Sequence, residues 1–157
     1  MALIFENQSK CPLCIRVLNN EKAYIEIPSL TTNTKDRLYI FSDNGVHIDC
    51  LSKNKLKGIL FTQLSEYNDN LLLEGARCII DGKIIDNPRD VLNLGLLTSD
   101  KNEKLFKYNF VTIKKANIKE WKDRDEFIDL LNYFMSQGKW KSFSEFNYLE
   151  YLIEILS

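Results

Sequence analysis

Four metal-seeking side chains in two short pairs constrain this chain more than any other feature. Cys11-Pro-Leu-Cys14 is a C-x-x-C, and His47-Ile-Asp-Cys50 is an H-x-x-C later in the chain. A tight turn, which Pro12 favours, lets two thiolates and the backbone amides after them face one ion. Residues one helical turn apart share a face, so His47 and Cys50 can reach the same point. Together the pairs supply the four ligands of a closed tetrahedral zinc site. His47 is also the only histidine in the chain. Three other readings compete. Three buried cysteines beside an ordinary histidine need no metal. A redox C-x-x-C belongs after a strand in a thioredoxin-like context, and no strand pattern leads into Cys11. A disulfide framework belongs to exported chains, whereas Met1-Ala-Leu-Ile-Phe-Glu6 has neither the basic segment nor the apolar length of a secretory leader.

The expected metal is a single Zn²⁺ held by Cys11, Cys14, His47 and Cys50, and its expected role is structural. Catalytic zinc keeps a coordination position open for water, while a Cys₃His set fills all four with protein. Three thiolates leave the site near a charge of −1, which makes the ion a poor Lewis acid. Zinc deaminases carry H-x-E and then P-C-x-x-C; here the order is reversed, and Ile48 and Asp49 follow the histidine. With that histidine committed to metal, Ser-His and Cys-His nucleophile pairs have no base, so the chain is not expected to be an enzyme. Asp36, Asp43 and Asp49 read as turn and cap residues.

The chain has 157 residues, 45% hydrophobic and 27% charged, with three prolines and six glycines. That length suits one domain, and the composition is that of a folded chain. No run reaches the ~18 apolar residues of a membrane span, so a soluble cytoplasmic protein is expected. Charge is balanced overall but uneven along the chain. Residues 101–122 carry seven lysines and two glutamates, and residues 123–157 carry three basic and seven acidic side chains. Lysine outnumbers arginine sixteen to five, which disfavours bidentate phosphate or base recognition.

Periodicity predicts an α+β fold. Residues 1–70 hold the zinc module and a helix with Leu56, Ile59, Leu60, Leu64 and Tyr67 on one face, ended by Asn68-Asp-Asn70. Residues 71–157 hold an antiparallel sheet of two hairpins and the C-terminal helices; the two regions stand apart or pack as one domain. The first hairpin is Arg77–Ile80 and Lys83–Ile85 around Asp81-Gly82, a type I′ turn signal. Cys78 lies in its first strand and reads as a small buried residue. The second is Leu94–Thr98, a turn at 100–103, and a strand Leu105–Lys114 with Phe106, Tyr108 and Phe110 on one face. That face is either a sheet core or, with Lys104 and Lys107 interleaved, a platform for nucleic-acid bases. A helix follows with Phe127, Leu130, Leu131 and Phe134, a capping box at Asp123 and Glu126, and Gly138 as its C-terminal stop. Ser142-Phe-Ser-Glu145 predicts a cap for a last helix carrying Phe146, Leu149, Leu152, Ile153 and Leu156.

A C-P-x-C knuckle, the apolar segments Ile15–Leu18, Ala23–Ile27 and Leu38–Phe41, the turn Ser42-Asp-Asn-Gly45 and a helix opening on the last two ligands resemble a treble-clef zinc finger over residues 10–55. The resemblance makes Cys11 and Cys14 the knuckle ligands, with His47 and Cys50 on the first helical turn. It implies geometry more than activity, since that class spans nucleic-acid binding, ubiquitin transfer and scaffolding. A RING finger needs eight ligands and an H-N-H nuclease needs extra histidines, and neither set is present. In size, mixed architecture and acidic end, the chain also loosely resembles bacterial immunity proteins that neutralise toxins. That likeness implies a protein partner, a cognate toxin. Nucleic acid is the second partner expected, and a fixed place in a larger assembly the third.

Overall fold

Two small antiparallel sheets, four α-helices and four short 3₁₀ helices make up the regular structure of the residues described in the computed structural model, 2–71 and 75–157. The fold is α+β. β1 (Tyr24–Ile27) pairs with β2 (Asn44–His47), placing Tyr24 opposite His47 and Glu26 opposite Gly45. α1 (Ile48–Ser52) begins at the residue after β2, and α2 (Lys57–Leu71) follows it. β3 (Val91–Asn93) pairs with β4 (Thr112–Lys114), and α3 (Arg124–Ser136) and α4 (Tyr148–Leu156) come last.

The two helices at the end follow the predicted spacing. α3 buries Phe127, Leu131 and Phe134, with Leu130 half-buried beside them. α4 buries Leu149, Leu152 and Leu156. Gly138 stops α3 as expected: its φ of 66° is open to glycine. Its amide bonds to Met135 O, and that of Lys139 to Phe134 O, the paired bonds of a Schellman motif.

The caps differ from expectation. Asp123 makes no side-chain bond to α3, because its own backbone is already near-helical (φ −87°, ψ 4°), whereas a capping side chain needs an extended residue. α4 is capped by Asn147, whose Oδ1 accepts from the Leu149 amide. Ser142 instead accepts a bond from Trp140 Nε1 and pairs with Asn33, and Phe146 lies outside the helix. α2 runs through Asn68-Asp-Asn70 instead of ending there, since Asn70 Nδ2 donates to the Glu66 carbonyl and so bonds within the helix rather than against it.

Neither predicted hairpin forms as written. Around Asp81-Gly82 the chain does reverse, with Arg77 bridging Ile84 and with Cys78 N bonded to Lys83 O and Ile85 N to Ala76 O. The turn, however, is closed by Gly82 N to Cys78 O, so Ile79 and Ile80 lie in the turn and not in the first arm. The Ile79 amide is taken by Thr112 O on β4, which removes it from any local strand pairing. Cys78 is buried, as expected. Leu94–Thr98 is not a strand. Lys104–Tyr108 is a 3₁₀ helix, so the expected strand shrinks to β4. Phe106, Tyr108 and Phe110 therefore share no face: Tyr108 enters the C-terminal cluster, Phe110 the N-terminal one, and Phe106 is half-buried.

Two hydrophobic clusters result. The C-terminal one centres on Leu97, Tyr108, Ile113, Trp121, Phe127 and Leu149. The N-terminal one gathers Leu18, Ile27, Leu38, Phe41, Val46 and Leu60 around Cys11, and adds Leu96 and Phe110 from later in the chain. Gly45 faces this cluster at a point where a β-carbon would collide with Leu18, so β2 can lie flat on the segment leaving the first cysteine pair.

Candidate metal centre

Backbone bonds shape the first pair into a knuckle. Lys10 bridges Val17, Cys11 N donates to Arg16 O at 2.9 Å, and Ile15 N donates to Cys11 O at 2.8 Å. This reversal points both sulfurs the same way. The second pair arrives from the β1–β2 sheet. Asp43, with φ 56°, turns the chain into β2, and β2 ends on His47. His47 is the extended residue preceding α1 (ψ 135°) and Cys50 is the third residue within it. The expectation that both ligands sit on the helix is thus corrected: the strand delivers the imidazole and the helix delivers the thiol.

All four donors converge. The ligand atoms of Cys11, Cys14, His47 and Cys50 lie within 4.8 Å of one another. Cys11 and His47 are buried, and Cys14 and Cys50 half-buried. Nδ1 of His47 lies 3.3 Å from Cys14 Sγ, which makes Nδ1 the nitrogen facing the sulfurs. Nε2 is buried with no hydrogen-bond partner among the described residues. Metal-bound histidines ordinarily donate their second N–H to a carboxylate or carbonyl. Here the ring is held by its burial and by the Nδ1 contact with Cys14.

The protonation pattern bears on what the site can hold. The Arg16 backbone amide, bonding to Cys14, holds that thiol down at about 6 against the opposing effect of burial. Burial, and the neighbouring Cys14 and Cys11, push Cys50 up to about 11. Three sulfurs this close cannot all become thiolates unaided, because each new negative charge resists the next. A divalent cation removes that conflict. Thiolate and imidazole donors are those preferred by zinc and its soft neighbours, and a hard, oxygen-seeking ion such as Mg²⁺ or Ca²⁺ is a poor match. The donor set and its convergence fit a single metal ion whose four ligands all come from the protein.

Asp36 and Asp43 take the turn roles expected of them. Asp36 Oδ1 accepts from Leu38 N and its Oδ2 accepts from Ser99 N. Asp49 lies in the first turn of α1, where an acidic group suits the helix dipole. One feature of the knuckle escapes sequence reading. Ile15, the residue after Cys14, has φ 60° and is 65% exposed. A β-branched side chain in this left-handed region carries roughly 1–2 kcal/mol of strain. Ile15→Gly is therefore expected to stabilise the protein by about 1 kcal/mol, since little burial is lost. The check is a denaturant midpoint that moves upward at unchanged slope.

No protein-family model matches this chain, and neither a curated protein nor a solved structure does. Among the described residues no helix is long and apolar enough to cross a membrane.

Proposed function

We propose that the protein is a non-enzymatic, protein-binding module whose N-terminal third is a treble-clef-like finger stapled by one structural Zn²⁺. The observation that carries the reading is the convergence of Cys11, Cys14, His47 and Cys50 on one point. Four protein donors leave no position for substrate, and the chain's single histidine is used in the site. A knuckle, a two-stranded sheet and a helix opening at the second pair support the treble-clef comparison.

The partner we propose is a basic protein, in the manner of a bacterial immunity protein and its toxin, met in the cytoplasm. What supports this is the surface of the last two helices. Asp125, Glu126 and Asp129 of α3 and Glu150 and Glu154 of α4 are exposed, as are Asp123 and Glu145 just ahead of them. Asp125 pairs with Arg124 and Glu126 with Lys107, and Tyr133 of α3 is 59% exposed. An acidic face of this kind steers a basic partner and speeds encounter. Co-expression with the product of the neighbouring gene tests it: the reading expects a complex and protection of the cells. Failure of both removes it. Given a complex, Glu150→Lys combined with Glu154→Lys is expected to slow association about tenfold at low salt, with the difference vanishing as salt is raised. Binding kinetics at two ionic strengths provide the check. Nucleic-acid binding is the weaker reading, because Tyr108 and Phe110 are buried and the aromatic platform it relied on does not form.

A further inference from the structure

A cleft of about 370 Å³ opens where the two hydrophobic clusters meet. Its origin lies in the alternation of the second sheet. Leu92 and Ile113 enter the C-terminal cluster, so Val91, Asn93 and Thr112 face the other way and line the cleft. Leu30, Leu96 and Phe110 of the N-terminal cluster supply another wall, with Tyr67 packed edge-on to Phe110 at 6.3 Å. Phe143 and Phe146 line the mouth, 73% and 60% exposed. Sequence reading could not find this site, because no local pattern joins segments so far apart.

The chemistry of the lining selects an occupant. Charged residues are 27% of the chain, yet none lines the cleft among the described residues. An ion entering it would lose hydration and gain no counter-charge, which is strongly unfavourable. Several polar lining groups are already paired within the protein. Asn93 Nδ2 donates to Phe110 O and Thr112 Oγ1, its Oδ1 accepts from Gly95 N, and Thr31 Oγ1 donates to Leu96 O. The Tyr148 hydroxyl donates to Asn93 O at 2.7 Å, which leaves its oxygen to accept. Thr112 Oγ1, accepting from Asn93, retains its own proton to donate. A half-enclosed apolar cavity of this size, with a few placed polar groups, is the usual form of a small-molecule site.

We propose that this cleft binds an uncharged, mainly apolar small molecule, aromatic or alicyclic, carrying a hydroxyl or carbonyl that meets Tyr148 and Thr112. The lining includes none of the four metal-centre side chains and none of the acidic side chains of the last two helices, so failure of this site leaves both of those readings intact.

The test uses the full-length, metal-loaded protein and a matched pair of probes, 1-naphthalenemethanol and 1-naphthoate, read by displacement of the neutral fluorophore N-phenyl-1-naphthylamine. Saturable fluorophore binding is expected, with the alcohol displacing it at least about tenfold more effectively than the carboxylate. Val91→Trp, which fills the sheet wall, is expected to weaken binding by at least about tenfold. Phe146→Glu places a charge at the exposed mouth, does not touch the core, and is expected to act in the same direction. It keeps the test decisive should Val91→Trp fail to fold. Absence of saturable binding up to millimolar probe overturns the proposal. So does equal displacement by the two probes, or wild-type binding by a folded variant.

Discussion

Cys14→Ser and Cys50→Ser are each expected to abolish stoichiometric metal binding and to unfold the N-terminal third, while Cys78→Ser is expected to leave metal content at the wild-type level. The size of the effect follows from what else holds that region. β1 and β2 are four residues each, and a two-stranded sheet of that length is marginal in water. A structural zinc contributes on the order of 10 kcal/mol in small modules, comparable with the whole stability of a typical domain. Replacing a thiolate by a hydroxyl loses a soft ligand and leaves the remaining sulfurs to repel one another. Cys78 is also buried, but it lies in the later part of the chain, near Lys114 and Asn117, and is absent from the ligand quartet. Elemental analysis of the purified variants, with circular dichroism before and after a chelator, reads both halves of the expectation. Metal retained by Cys14→Ser would sink the site.

Phe127→Ala is expected to cost about 3–5 kcal/mol, the range for truncating a fully buried aromatic. Phe127 has no exposed surface and sits between Tyr108, at 4.8 Å between ring centres, and Trp121, at 5.2 Å. Tyr108 and Trp121 meet edge-on at 5.9 Å. Deleting the central ring removes two aromatic contacts and leaves a cavity that α3, anchored also by Leu131 and Phe134, closes only partly. Phe127→Leu keeps much of the volume and should cost well under half as much. Chemical denaturation followed by tryptophan fluorescence measures both, since Trp121 reports from inside the cluster. Equal losses for the two variants would mean that the cavity argument is wrong.

The metal quartet was legible because its signal is local and chemical: two pairs of scarce residue types, each at a spacing that one turn of chain converts into proximity. The helical stripes of α3 and α4 were legible for a similar reason, their period matching the helix that forms. The segment from Leu94 to Val111 was not. Phe106, Tyr108 and Phe110 alternate as a strand would, but the residues buried in the 3₁₀ helix are Leu105 and Tyr108, three apart, as a three-residue turn requires. Phe110 then adopts φ 58°, a reversal that nothing in an aromatic residue announces. At Asp81-Gly82 the reversal was right, but the Ile79 amide bonds to Thr112 O, a partner distant in sequence, and the arms pair Arg77 with Ile84. The N-terminal caps failed for a related reason, although the Gly138 stop formed: which of several acceptors takes the role depends on the backbone leading into the helix, and that is decided by packing.

Leu96 and Leu97 are neighbours in the chain, yet the first belongs to the interior around the cysteines and the second to the interior around Trp121. The stretch they share works like a rivet through two plates, since drawing it out of one loosens the other. Neither half of the molecule owns all of its own filling. A shortened version carrying only the front would have an empty socket where the Phe110 ring belongs, and one carrying only the rear would leave that same ring in water.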